Sequence, residues 1–285
     1  MNKKMSVIVP EGSFRSKLIP VAAVLSALAA VAGVLSALIL FTPGAINYLD
    51  VTGGTYSAKL TWTVIHIMVL VFFTVWSALS AVALLSAKFD KIGEGMDLFS
   101  HGTRILRGAL GFIGIAMLVL FVVRAVLYSI ACLTSDVDAG YGLIFLFSAL
   151  LGEIVLAGIA AAIIILLRRF LDTIGDSAAS VTRTITSGVL KGSSIPMASA
   201  IGCMVVGIGS LILGAGRMSA AAVWAAEGVP SLYTFMLYAA AALFFLSGAA
   251  NTLMFLYLRK FKQTSEYLLF KGTPVEEETA PAEEN

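Results

Sequence analysis

The chain has 285 residues, of which 59% are hydrophobic and 13% charged, and its formal net charge is +2. A soluble globular domain carries roughly a quarter charged residues, so half that share, with a mean hydropathy of +0.96, excludes a surface that faces water throughout. The small net charge, with no basic groove interleaved with aromatic residues, excludes nucleic acid as a partner.

Six apolar runs follow in chain order, at residues 18–41, 62–87, 109–133, 141–167, 196–223 and 232–258. Each is long enough for a membrane span, which takes about 20 helical residues. The expected fold is all-α: a polytopic integral membrane bundle of about six transmembrane helices, built from helical hairpins. Residues 1–17 form an N-terminal segment, 18–258 the transmembrane domain, 259–272 an amphipathic segment and 273–285 an acidic tail.

The first run follows Lys3, Lys4, Arg15 and Lys17. A basic start before an Ala-rich run also fits a secretory signal. This run is longer than the usual apolar core of about 7–15 residues, so a retained helix is expected; cleavage would leave five spans. Ala29, Gly33 and Ala37 recur at four-residue spacing within it, a row that lets helix backbones approach closely. Pro20 lies in its first turn, where a missing N–H costs nothing.

The second run carries His66 a few residues inside one end, with Trp62 at the interface expected of an aromatic belt. The loop after it begins Phe89-Asp90-Lys91-Ile92-Gly93, and the loop after the fourth run begins with the similar Leu171-Asp172-Thr173-Ile174-Gly175. A shift of 82 residues places Phe89, Ile92, Met96, Phe99 and Thr103 on Leu171, Ile174, Ala178, Val181 and Ile185. Both rows advance by three and four residues in alternation, so each makes one stripe on a helix. A fainter copy, Leu258, Phe261, Ser265 and Leu268, follows the sixth run. The pattern predicts an internal hairpin repeat with amphipathic cytoplasmic helical extensions, although Gly93, Gly95 and Gly102 weaken the first copy as a continuous helix. Such stripes would pack together, lie on the lipid surface or dock a partner protein.

The third, fourth and fifth runs each contain one ionisable residue, namely Arg124, Glu153 and Arg217. A charge inside a span is costly and marks function by default. Arg124 and Glu153 lie at similar distances from the turn near Asp138, so an antiparallel hairpin would set them at one depth as an intramembrane ion pair. Arg217 follows Gly214-Ala215-Gly216. The helix would either continue, keeping Arg217 in the layer, or end there, letting it snorkel to the interface. With His66, these residues form a candidate site for a small anionic solute. Ser199, Cys203 and Gly207 make a second close-approach row. Asn251 in the sixth run is expected to be interhelical hydrogen-bond glue. Cys132 and Cys203 read as small apolar packing residues too far apart to bridge.

Counting Lys and Arg gives the orientation. Sixteen fall in the N-terminal segment, the loops after the second and fourth runs, and the C-terminal segment; only Lys59 falls in the alternate loops 42–61, 134–140 and 224–231. Positive-inside bias then places both termini in the cytoplasm and the protein in a plasma (inner) membrane. After Gly272, five glutamates among two prolines predict a disordered tail. No nucleotide-binding loop, metal-binding motif or nucleophile elbow is present in the sequence, so neither cofactor nor metal nor enzymatic activity is expected. Two functions remain: a permease-like transport or solute-binding protein using Arg124, Glu153, Arg217 and His66, or a membrane scaffold or regulatory subunit docking a partner on its stripes. A pore is a weaker third.

Overall fold

The computed structural model describes residues 6–10, 13–14, 16–42, 56–87, 92–134, 139–191 and 197–271. Six helices follow one another: α1 (Leu18–Leu40), α2 (Tyr56–Ala87), α3 (Ile92–Leu133), α4 (Ala139–Ser187), α5 (Met197–Ala226) and α6 (Ser231–Lys271). All six are long and apolar enough to cross a membrane, as a multi-pass membrane protein requires. Two short strands, β1 (Ser6–Ile8) and β2 (Val189–Lys191), complete the described elements.

The helices outgrow the apolar runs. α2 begins at residue 56 rather than 62, which takes Lys59 from the expected loop into its first turns. α3 and α4 run for 42 and 49 residues. At 1.5 Å rise each exceeds about 60 Å, twice a bilayer's hydrocarbon thickness. α6 passes through residue 258 to Lys271 without a break. Positive φ at Gly188 (63°) and Gly228 (74°) ends α4 and α5, a conformation that glycine adopts without steric cost.

α1, α2, α5 and α6 form the compact part of the molecule, with α6 packed between α5 and α1. Small residues set the distances. A Cβ on Gly33 would collide with Thr74 of α2, and one on Gly207 would lie 3.2 Å from the Gly248 carbonyl oxygen of α6. The rows Ala29-Gly33 and Ser199-Cys203-Gly207 are buried, as close approach demands. Cys203 is fully buried with a free thiol, while the Cys132 side chain lies outside the described residues.

α3 and α4 make a long antiparallel hairpin. Its register runs from Gly93, whose carbonyl accepts from Thr182 Oγ1 at 3.2 Å, through Arg107, paired with Asp172 at 2.9 Å, to Gly114 beside Ile164. The basic half of the hairpin is core: Met96, Phe99, Thr103, Leu171, Ile174, Ala178 and Val181 are all buried, and Ile185 is half-buried against them. Leu258, Phe261 and Ser265 of α6 are buried as well. Phe89 and the Ile92 side chain lie outside the described residues. The other half of the hairpin stands apart. Only 6% and 12% of the most apolar stretches of α3 and α4 are buried, against 56% in α2 and α6.

One expectation needs correction. The glycines of the first stripe do not interrupt α3, and one of them is a contact point: a Cβ on Gly102 would meet the Leu79 side chain of α2. The N-terminal segment takes part in the fold. β1 pairs antiparallel with β2, Val7 opposite Leu190, and Phe14 stacks on Phe261 with ring centroids 4.2 Å apart. Val7 and Leu190 are fully buried. Trp224 is also packed into the core, and the Trp62 side chain lies outside the described residues.

Candidate functional site

Among the described residues, three cavities lie along the apolar helices, and they divide the expected charge layer. The first, about 30 Å³, is a partly open recess among α1, α2, α5 and α6, lined by Ser36, His66, Leu70, Arg217, Met236 and Phe244 among others. The packing of α5 on α6 delivers Arg217 to it. Gly214 sits against the Phe245 ring, where a Cβ would lie 3.0 Å from Cδ1, and Arg217 follows three residues later on the same helical face. The helix does not end at Gly214-Ala215-Gly216 but continues to Ala226, so Arg217 is held partly buried within α5. Ser36 Oγ donates to the Met236 carbonyl at 3.0 Å and ties α1 to α6 at the cavity wall. Among the described residues Arg217 has no ion-pair partner.

The second cavity, about 180 Å³, lies between α3 and α4 and is lined by Gly114, Met117, Phe121, Arg124, Ala157 and Ala160 among others. Arg124 is therefore separated from Arg217 and His66: the structure brings the latter two together and keeps Arg124 on the hairpin. The antiparallel register continues outward to set the backbone of residue 153 within one turn of the level of Arg124, while the Glu153 side chain lies outside the described residues.

The third cavity, about 10 Å³, sits between α1, α2 and α6 towards the basic end and is lined by Ser26, Trp76, Ser77, Ser80, Ser247 and Asn251 among others. Of its polar lining, only Asn251 stood out in the sequence. Its amide does not bridge helices as expected: Nδ2 donates to the Ser247 carbonyl at 2.8 Å and to Ser247 Oγ at 3.4 Å, both within α6. Ser77 Oγ is buried with no hydrogen-bond partner. The signal that could have found this group is positional. Ser77 and Ser80 share a face of α2, as Ser247 and Asn251 share one of α6, and polar residues in mid-span face the bundle interior. Trp76 closes one side, edge-on to Phe99 of α3 at 5.2 Å and to Phe170 of α4 at 5.1 Å.

Chemically, the first cavity offers a guanidinium and an imidazole in apolar walls, the second a guanidinium, and the third neutral hydroxyls and an amide. No group of three His, Cys, Asp or Glu side chains able to hold a metal occurs among the described residues. No family model matches the chain, nor does a curated protein or a solved structure.

Proposed function

We propose that the protein is a multi-pass protein of the plasma (inner) membrane, with both termini cytoplasmic, that captures a small anionic solute at Arg217 and His66 as a permease-like transport or solute-binding protein. The observation that carries this reading is Arg217: a guanidinium at membrane depth, in a cavity shared with His66, without an ion pair among the described residues. A buried charge is costly unless it is paired, and an anion from outside would supply the missing charge. The volume of about 30 Å³ suits an ion little larger than water. Arg124 and Glu153, on the other hairpin, drop out of the solute site and keep the expected role of a structural ion pair.

The test is thermal unfolding of the protein in nanodiscs, in chloride, formate or nitrate against gluconate at equal ionic strength. A bound small anion stabilises the folded state by about 2.7 kcal/mol at a hundred times its Kd. The stabilisation should vanish in Arg217→Gln and persist in Arg124→Gln. Equal melting of wild type in all four salts, or undiminished stabilisation in Arg217→Gln, sinks the reading.

The scaffold alternative also has a supporting observation, though not on the stripes, whose described side chains are taken up by the chain's own core. It rests on the half of the α3–α4 hairpin that the rest of the chain leaves uncovered. Lipid alone satisfies such a surface; a membrane partner would have to co-purify through it.

A further inference from the structure

The first and third cavities lie on one seam. Reading along α1, Ser36 lines the one and Ser26 the other; along α2, Leu70 gives way to Trp76, Ser77 and Ser80; along α6, Phe244 gives way to Ser247 and Asn251. Between the two stand Phe73 and Phe244, which meet edge to face with ring centroids 5.4 Å apart. Both rings are buried, at 5% and 1% exposure. Each side of the aromatic pair thus holds polar side chains within mostly apolar walls, between the same three helices. Apolar side chains would fill the seam at lower cost than hydroxyls that must be desolvated.

Ser77 supplies the second observation. Its hydroxyl is 1% exposed and unpartnered, and such a group left dry costs about 1–3 kcal/mol. A water needs two to four polar partners and a cavity of roughly 10–15 Å³. The chamber provides Ser26, Ser77, Ser80, Ser247 and Asn251 at about that volume. Hydroxyls and an amide N–H donate to an anion as readily as to water.

We propose that the two cavities are the outer and inner stations of a single hydrophilic route along the α1–α2–α6 seam, closed here by Phe73 and Phe244. The inner station holds water at rest and takes a small hydrogen-bonding anion when the rings part. The identity of the passing solute rests on the anion reading above; the route itself does not.

The experiment uses the full chain in proteoliposomes with Cys132→Ala and Cys203→Ala. Ser77→Cys is exposed to a small sulfonate-bearing methanethiosulfonate, whose sulfenyl sulfur is attacked by a hydrated, ionised thiolate with loss of methanesulfinate. Val75→Cys, on the outward face of α2, is the control. The route predicts slow labelling at Ser77→Cys that quickens about tenfold, a shift of about 1.4 kcal/mol, when Phe244→Ala or Phe73→Ala is added. Labelling at Ser77→Cys that follows Val75→Cys and ignores both aromatic changes overturns the route. If Phe244→Ala does not fold, Phe73→Leu keeps bulk while removing the ring, and it must produce the same quickening. Labelling reads the route, and salt-dependent melting reads the anion site. Ring-dependent labelling without anion stabilisation upholds the route and removes the anion from it. Anion stabilisation with ring-blind labelling removes the route alone.

Discussion

Gly207 and Gly248 show how much one missing methyl decides between two apolar helices. A Cβ on Gly248 would lie 3.0 Å from the Gly207 carbonyl oxygen and 3.0 Å from Leu211. Lipid supplies no hydrophobic drive for helices to associate, so close backbone packing must hold them. Gly248→Val should therefore lower the thermal stability of the purified protein by about 1–3 kcal/mol, the usual cost of overpacking. Gly216→Ala, with nothing within 4 Å of the added methyl, should cost none. Equal melting of the two variants would refute this account of the α5–α6 contact. The spacing Ser199-Cys203-Gly207 announced the α5 side of this contact. Gly248 gave no such notice, because it sits in Ser247-Gly248-Ala249-Ala250, where small residues surround the helix and no face stands out. Arg217 and His66 were legible as membrane-depth ionisable residues. Their separation from Arg124 was not, because equal depth says nothing about which helices are neighbours.

At the scale of the element, α3 and α4 place a hydrophobic stripe and an ion pair on the same hairpin, and the two differ greatly in weight. Phe99 is 1% exposed and touches Trp76, so Phe99→Ala should destabilise by about 3–5 kcal/mol. The Arg107–Asp172 pair leaves its side chains 47% and 40% exposed, and exposed pairs contribute about 0–1 kcal/mol. Arg107→Ala should barely move the melting temperature, and a larger loss than in Phe99→Ala would reverse the ranking. The alternating three- and four-residue spacing gave the buried faces correctly, since that period is a property of any helix with one dry side. The glycines misled for a related reason. Propensity counts the entropy a glycine loses, whereas Gly102 lies so close to the Leu79 side chain that a Cβ there would force it to move, and tertiary packing overrides propensity. The β1–β2 ladder left no trace, because three residues per strand are too few for a period of two to register.

For the whole molecule, the lengths and charges of the elements fix how it must lie if it spans a membrane. A bilayer core of about 30 Å accommodates about 20 residues of helix, yet α3, α4 and α6 run to 42, 49 and 41. The surplus falls at the end that carries Arg104, Arg107, Arg168, Arg169, Arg183, Arg259, Lys260 and Lys262, and there β1, β2 and the buried stripes knit it together. At the opposite end α5 and α6 are joined by the short connection 227–230. Desolvating a basic cluster is far costlier than desolvating a tight turn, so the surplus belongs in water on the side where positive charge is retained. Thr186 near the end of α4 would then face the cytoplasm, and Glu227, exposed beyond α5, the outside. In a background with Cys132→Ala and Cys203→Ala, a membrane-impermeant maleimide applied to intact cells should label Glu227→Cys and leave Thr186→Cys unmodified. Permeabilisation should make Thr186→Cys reactive. The reverse pattern would invert the protein and move the mouth of the Arg217 cavity to the cytoplasmic side, turning capture from outside into capture from within. Labelling of both positions in intact cells would mean that α5 and the α3–α4 hairpin do not share one span count, and a bundle of six crossings would no longer stand.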